Sequence, residues 1–320
     1  MKINIRNKKI WITGPNGMVG RSLIKLLKKN KVKLLCPNRK KLNLLEQEKV
    51  RKWVKKNKPD LVFMTAAKVG GIYANNKFPG DFIYTNLQIQ NNIIEASRIY
   101  KVKKLMFIGS SCIYPRNSKQ PIKEKYLLTG ELEKTNQWYA IAKISGIKLI
   151  QAYRKQFGCN FISVMPTNMY GPNDNYDDKS SHVLASLVKK FCIAKEYNYK
   201  NVIVWGSGKP LREFLYVDDF SKALIKVAEK YDSNEPINIG SGHEISILNL
   251  AKMISNILNY KGKIILDKSY PDGTPRKILD STKIKKLGWK PETILKKGIK
   301  SVITNYTNEN FSNNSHKRQL

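Results

Sequence analysis

The chain has 320 residues, of which 41% are hydrophobic, and a formal charge of +35 from 59 Lys+Arg against 24 Asp+Glu. That supplies one large apolar core or two modest ones, the pattern of a globular protein. No apolar run approaches the ~18 residues of a membrane span, and the first, Ile10-Trp-Ile12, is too short for a signal peptide, so a cytoplasmic location and no membrane partner are expected.

Along the first half, short apolar runs alternate with longer amphipathic segments, the pattern of βαβ units and a parallel sheet. Strands are expected at about 9–13, 32–36, 61–66, 104–109 and 161–165, with helices at about 18–29, 46–57, 80–99 and 138–157. After Pro166 the rhythm breaks in the loop "PTNMYGPNDNYDD", where a second lobe is expected to begin. The fold class is therefore α/β. A Rossmann-type doubly wound parallel sheet occupies 1–165, and a smaller C-terminal α/β substrate lobe occupies 166–307. Parts of 200–240 are expected to rejoin the first lobe, among them Ile237-Asn-Ile239 and a helix starting near Val217-Asp-Asp219. The polar tail 308–320 reads as disordered.

The charge is spread over almost every segment, including outer helix faces at Lys25/Lys28/Lys29 and Lys52/Lys55/Lys56. It forms no single stripe with interleaved aromatics, so a solvated surface rather than a nucleic-acid partner is expected. The same field would attract an anionic substrate or a polyphosphate cofactor. The four cysteines, Cys36, Cys112, Cys159 and Cys192, show neither CxxC nor Cys/His spacing, so no disulfide framework and no metal site are expected. The default for each is a buried small hydrophobe.

The first strand runs into "TGPNGMVG", with glycines at 14, 17 and 20. Gly14 permits the tight turn, Gly17 lets a phosphate approach the backbone, and Gly20 lets helix and strand pack closely. At the first βα junction of an alternating chain, this is a dinucleotide signal. The second strand ends in "LLCPNRKKLN", which has no carboxylate for a ribose 2′-hydroxyl but offers Arg39, Lys40 and Lys41. A cation there suits a 2′-phosphate, so NADP is favoured over NAD.

Tyr139 and Lys143 in "NQWYAIAKISG" share one helical face. A lysine ammonium beside a phenol is expected to lower the tyrosine pKa and make it a general acid. The spacing also occurs at Tyr73/Lys77 and Tyr100/Lys104, so context must separate the three. Tyr73 is assigned to a Gly/Asn loop, and Tyr100/Lys104 straddles a helix end and a strand. Only Tyr139/Lys143 lies within one long helix, downstream of a strand that ends in "GSSCIYP". If that stretch stays extended, Ser110 and Cys112 project to the same side.

A Ser, Tyr and Lys in this order after a glycine-rich first turn resemble the extended short-chain dehydrogenase/reductases. The segments "AAKVGGI", "GSSCIYP", "YAIAK", "SVMPTNMYGPNDN", "SHV", "VWGSGKPLREFLYVDD" and "PDGTPRK" cover most of 8–290 and narrow the resemblance to the GDP-L-fucose synthase family. That resemblance implies an NADPH-dependent epimerase-reductase. It would convert GDP-4-keto-6-deoxy-D-mannose to GDP-L-fucose by C3/C5 epimerisation and C4 keto reduction. Ser110 and Tyr139 would hold the C4 carbonyl, Tyr139 as proton donor. Lys143 would tune Tyr139 and bind the nicotinamide ribose, and Cys112 and His182 would move protons at C3 and C5. The implied NADP(H) site comprises Gly14, Pro15, Asn16, Gly17, Met18, Val19, Gly20, Arg39, Ile108, Gly109, Ser110, Ser111, Lys143, Pro166, Thr167, Asn168, Met169 and His182. The GDP-sugar would be held by Lys190, Trp205, Arg212, Asp272 and Lys277. A homodimer through the helices near 80–99 and 138–157 is implied as well.

The chemistry suits these residue types. Protons beside a ketone are acidic because the carbanion delocalises onto the carbonyl oxygen, and a thiolate is a workable base where serine is not. His182 is one of three histidines, with His243 and His316. Two departures stand out: Asn16 replaces an arginine common in bacterial members, moving the 2′-phosphate role to Arg39, and Lys190 stands where the family typically has a substrate-contacting arginine. Two alternatives remain. One is a reductase, epimerising or not, of a related GDP-4-keto-6-deoxy sugar such as a deoxyheptose or a colitose precursor. The other is a non-catalytic polyanion-binding protein.

Overall fold

The computed structural model describes residues 3–311. Its first half is the alternation expected from the apolar runs: β1 (Lys9–Thr13), α1 (Met18–Leu27), β2 (Lys33–Leu35), α2 (Gln47–Asn57), β3 (Leu61–Met64), α3 (Ile72–Lys77), α4 (Pro79–Ile99), β4 (Lys104–Ile108), α5 (Gln137–Phe157) and β5 (Phe161–Pro166). Local chemistry sets several boundaries. Pro79 opens α4, where a missing N–H costs nothing, and Gly158 ends α5 at φ +65°. The second half contains β6 (Asn168–Tyr170), α6 (Val183–Glu196), β7 (Asn201–Trp205), β8 (Leu211–Tyr216), α7 (Val217–Lys230), β9 (Ile237–Ile239), β10 (Glu244–Ser246), α8 (Ile247–Leu258), β11 (Lys263–Asp267), β12 (Arg276–Lys277), α9 (Thr282–Lys286) and α10 (Leu295–Asn310).

Six parallel strands form the main sheet in the order β2-β1-β3-β4-β5-β9. The chain leaves β1 toward one edge and returns to the other side at β3, which opens a crevice at the carboxyl ends of these strands. Alternating side chains of β1 feed both faces. Ile10 and Ile12 pack with Leu23, Leu27, Phe220 and Leu224 from α1 and α7, whereas Trp11 packs with Val50, Val54, Ile93 and Ile147 from α2, α4 and α5. Each such side chain contributes ~1.5–3 kcal/mol by leaving water.

A second core joins α6, α8 and α10 to β7 and β8. Here β8 pairs with β6, β10 and β12, and β7 with β11. Residues from Val217 to Ile239 lie with the main sheet, as does a return not expected from the sequence: Ile284 and Trp289 join the cluster under α1 and α7. The Trp289 indole donates to the Asp219 carbonyl at 3.2 Å. None of the helices among the described residues is long and apolar enough to cross a membrane.

Three expectations need correction. Tyr73 lies in helix α3, not a loop; within that helix the Asn75 side-chain amide donates back to the Gly70 and Gly71 carbonyls and ties the short turn down. The tail does not begin at Asn308, since α10 runs on to Asn310; residues 312–320, with His316, lie outside the described ones. The chain does not stay extended past Ser110: Ser111–Ile113 form a 3-10 turn, with the Cys112 amide donating to Ser110 Oγ at 3.2 Å.

Candidate active site

The glycine turn after β1 builds a floor at the crevice. Gly14 adopts φ +69°, and a Cβ on Gly20 would overlap the Gly14 carbonyl oxygen, so loop and helix can approach only as glycines. Gly17 is the N-cap of α1 and supplies no side-chain acceptor, and the first turn holds no acidic residue. The amides of Met18, Val19 and Gly20 thus face the crevice with the positive end of the helix dipole behind them, which fits an anionic pyrophosphate. Gly109 completes the floor, because a Cβ there would run into Met165 Sδ.

Arg39 is exposed beyond β2. Asn16 is accompanied by a cation that the sequence reading missed: Arg21 Nε donates to the Asn16 carbonyl at 2.9 Å, laying a guanidinium over the turn. At the end of β5, past Pro166, the Thr167 hydroxyl and the Asn168 amide both donate to the Glu213 main-chain carbonyl. Those side chains therefore face β8. Val19 and Met169 are partly buried against the core beneath, and Ser111 is buried in the 3-10 turn.

Beside this cradle, Ser110, Cys112, Tyr139 and Lys143 come together. The Tyr139 phenol hydrogen-bonds with Ser110 and lies close enough to Cys112 to feel its charge. The ring of Tyr139 meets Phe82 edge-on at 6.4 Å. Lys143 is buried, donates from Nζ to the Ile108 carbonyl at 2.9 Å, and lies 5.8 Å from the centre of the Tyr139 ring. Desolvation pulls its pKa down to about 8. The expected lowering of the tyrosine pKa is not seen. Burial, with Cys112 second, pushes the Tyr139 phenol up, and the Ser110 hydrogen bond offsets only part of this.

His182 is the N-cap of α6. The two residues before it are held against the glycine pair after β3: Gly71 N donates to the Ser180 carbonyl at 2.9 Å, and a Cβ on Gly71 would sit 2.6 Å from the Ser181 oxygen. Gly70 in turn packs against Phe82, the neighbour of Tyr139. His182 is open to solvent yet crowded by protein around the imidazole, and that desolvation lowers its pKa from 6.5.

Toward the second lobe, Trp205 is stacked on Tyr270 at 4.2 Å and 4°, with Lys190 Nζ 4.6 Å over the indole. Lys190 also donates to the Ile203 carbonyl at 2.9 Å, and burial lowers its pKa. Asp272 accepts from both the amide and the hydroxyl of Ser207 at 2.7 Å, and Arg212 Nη2 reaches the Asp272 carbonyl at 3.5 Å. Lys277 stands apart from this group. It is the register partner of Arg212 across β8 and β12, and its ammonium lies 3.6 Å from Cys112 Sγ. Asn136, just ahead of α5, donates to the same sulfur at 3.4 Å. Arg21, Asn136 and Tyr270 carried no sequence signal beyond their place beside the motifs. The competing tyrosine-lysine pairs differ in setting. Lys77 Nζ is 3.4 Å from the Tyr73 hydroxyl on an exposed helix, and Lys104 is buried, donating to the Tyr231 carbonyl at 2.6 Å.

Comparison with known proteins agrees with this geometry. The model of the NAD dependent epimerase/dehydratase family matches residues 10–240. A GDP-L-fucose synthase of Sinorhizobium fredii (strain NBRC 101917 / NGR234) is 52% identical, over 91% of this chain and 93% of that protein. Among solved structures, a GDP-6-OMe-4-keto-L-xylo-heptose reductase from C. jejuni superposes with a TM-score of 0.91 at 36% identity, covering 97% of this chain and 100% of that one. A GDP-L-fucose synthetase from Naegleria fowleri bound to NADP gives 0.87 at 29% identity, with 97% of each chain covered. The chain belongs to the NAD dependent epimerase/dehydratase family, and within it stands beside the GDP-L-fucose synthases.

Proposed function

We propose that the protein is an NADP(H)-dependent epimerase-reductase that converts GDP-4-keto-6-deoxy-D-mannose to GDP-L-fucose. The observation that carries this reading is the convergence of Ser110, Cys112 and Tyr139 on one spot beside the glycine cradle. When bound in that cradle, NADPH supplies the hydride for C4. The uncapped α1 amides would hold its pyrophosphate, and Arg21 and Arg39 its 2′-phosphate. Ile108, Gly109, Ser111 and Pro166–Met169 would line the site mainly through their backbone.

Ser110 and Tyr139 would hydrogen-bond the C4 oxygen, so that charge developing there during proton removal or reduction meets two fixed donors. Tyr139 would give the oxygen its proton. Lys143, within one helical turn, would supply positive charge behind it. Cys112 would take a proton from a carbon beside the ketone and His182 would return one from the other face, inverting C3 and C5. Lys190, Trp205, Arg212 and Asp272 would hold the GDP moiety.

The cofactor-binding part would comprise 1–165 joined by 217–239, and the substrate lobe most of the remainder to 307. A homodimer through α4 and α5 is part of the proposal, supported by Tyr84, Trp138 and Ile141 lying exposed on those helices. The test is NMR after incubation with GDP-4-keto-6-deoxy-D-mannose in D₂O. Without cofactor, C3 and C5 should take up deuterium, and with NADPH the product should be GDP-L-fucose. A reduced sugar carrying no deuterium at C3 and C5 would remove the epimerase half. A second reading, a reductase of a related GDP-4-keto sugar such as a heptose, is favoured by one observation. Lys190 grips a main-chain carbonyl as a point charge and cannot give the bidentate contact of an arginine. Turnover compared across those sugars separates the two.

A further inference from the structure

We infer that Lys277 is a positioning residue that holds Cys112 as a thiolate, so that the base is charged before substrate arrives. The inference rests on the proposed epimerase reading only for its consequence, not for the thiol chemistry itself.

The Cys112 sulfur is approached by two donors, Lys277 Nζ at 3.6 Å and Asn136 Nδ2 at 3.4 Å. Lys277 is 9% exposed, and among the described residues no carboxylate forms an ion pair with it. A buried ammonium with no anion is unfavourable, whereas an ammonium beside a thiolate is a paired charge. The neighbouring groups favour the same state. Arg212, register partner of Lys277 on β8, lies near enough to Cys112 to interact with its charge. The carboxylates facing that region are engaged elsewhere. Glu133, ahead of α5, is paired with Arg116 at 3.3 Å and with the Thr274 hydroxyl at 3.4 Å, and Asp272 accepts from Ser207. Tyr139, on α5, stays protonated because burial raises its pKa, so it places no negative charge against the sulfur.

The position of Lys277 is enforced by the fold. Two residues on, the Leu279 amide donates to the buried Glu213 carboxylate at 3.0 Å, and that carboxylate also accepts from the Gly242 amide at 2.6 Å. In the reaction, the thiolate lone pair takes the proton from the carbon beside the ketone, the C–H pair delocalises onto the C4 oxygen, and the thiol so formed is the neutral product of the step.

The test is the pH dependence of Cys112 alkylation by iodoacetamide in the cofactor-free protein, read by mass spectrometry of the Cys112 peptide, with Cys112→Ser as the blank. The wild type should show a midpoint below the ~8.5 of a free thiol. Lys277→Met should raise it by about one unit, a roughly tenfold loss of thiolate near pH 7, and Lys277→Arg should restore it. A wild-type midpoint at or above 8.5, or one unmoved by Lys277→Met in a protein whose melting temperature is preserved, overturns the inference. If Lys277→Met does not fold, Lys277→Gln, which keeps a polar head without the charge, takes its place with the same expected and overturning results. A low midpoint without deuterium uptake at C3 and C5 would instead retain the thiolate and reject the epimerase reading.

Discussion

Lys143 Nζ donates to the main-chain carbonyl of Ile108 at 2.9 Å, tying the second turn of α5 to the end of β4 one residue before the "GSSCIYP" turn. The bond fixes the register of Tyr139 against Ser110, since Tyr139 lies one helical turn before Lys143 and Ser110 two residues after Ile108. It also gives the buried ammonium an acceptor where, among the described residues, no carboxylate pairs with it, which a low-dielectric site otherwise penalises.

Lys143→Met should therefore act on both position and charge. Ketone reduction is expected to fall ~10²-fold or more, as for loss of a positioned acid, and Tyr139→Phe should fall by a similar factor. The measurement is single-turnover NADPH oxidation at saturating substrate. An unchanged rate in Tyr139→Phe would remove the phenol from proton donation.

Cys112→Ser should abolish deuterium uptake at C3 and C5 yet leave reduction of an already epimerised ketone within a few-fold of wild type. Serine keeps the size of the residue but not the acidity of the thiol. His182→Asn should spare the first exchange and block inversion, giving label without a change of configuration. Full epimerisation by Cys112→Ser, followed by NMR, would return Cys112 to a packing role.

Arg21→Ser and Arg39→Ala should each weaken NADP binding by roughly tenfold, the scale of one charge-assisted contact to phosphate, while NAD binding stays constant. Fluorescence titration with both cofactors and with 2′-phospho-ADP-ribose measures this without turnover. Equal losses for NAD and NADP would show that the arginines shape the turn rather than read the phosphate.

Lys104 is fully buried, with its pKa held down to about 8 by desolvation. The unfolded chain keeps that proton to about pH 10.4, so between pH 8 and 10 it binds more protons than the folded chain, and stability rises with pH through this group. Relative to Lys104→Met, the wild type should gain roughly 1–2 kcal/mol between pH 7.5 and 9.5, from urea midpoints of the cofactor-free protein. Comparing the two proteins cancels the opposing contribution of the thiols Cys36, Cys159 and Cys192, whose pKa values desolvation raises; of the four cysteines only Cys192 is the buried small hydrophobe expected, since Cys36, Cys112 and Cys159 lie part-exposed where loops and helix ends leave them open. A pH-independent difference would mean that Lys104 keeps its proton in the folded chain across the whole range.

The apolar runs at Ile10-Trp-Ile12, Leu61–Met64 and Lys104–Ile108 became strands within a residue or two of their expected bounds. Their signal is local: each is buried on both faces, so every side chain but that of Lys104 is apolar. The glycine turn, the tyrosine-lysine helix and the order of the motifs were legible for the same reason, because a turn or an i,i+4 face needs only neighbours in the chain. What sequence could not supply was any property set by distant residues. The 3-10 turn at Ser111 places Cys112 against Lys277, 165 residues away, and Arg212 joins them only because β12 pairs with β8. The direction of the Tyr139 shift reversed because burial, a property of the packed crevice, outweighs a lysine already bound to a carbonyl. Sequence by itself determined the elements and the residue types available for the chemistry. Tertiary structure decided which of those residues share a charge, because electrostatic coupling follows separation and desolvation in space, not spacing along the chain.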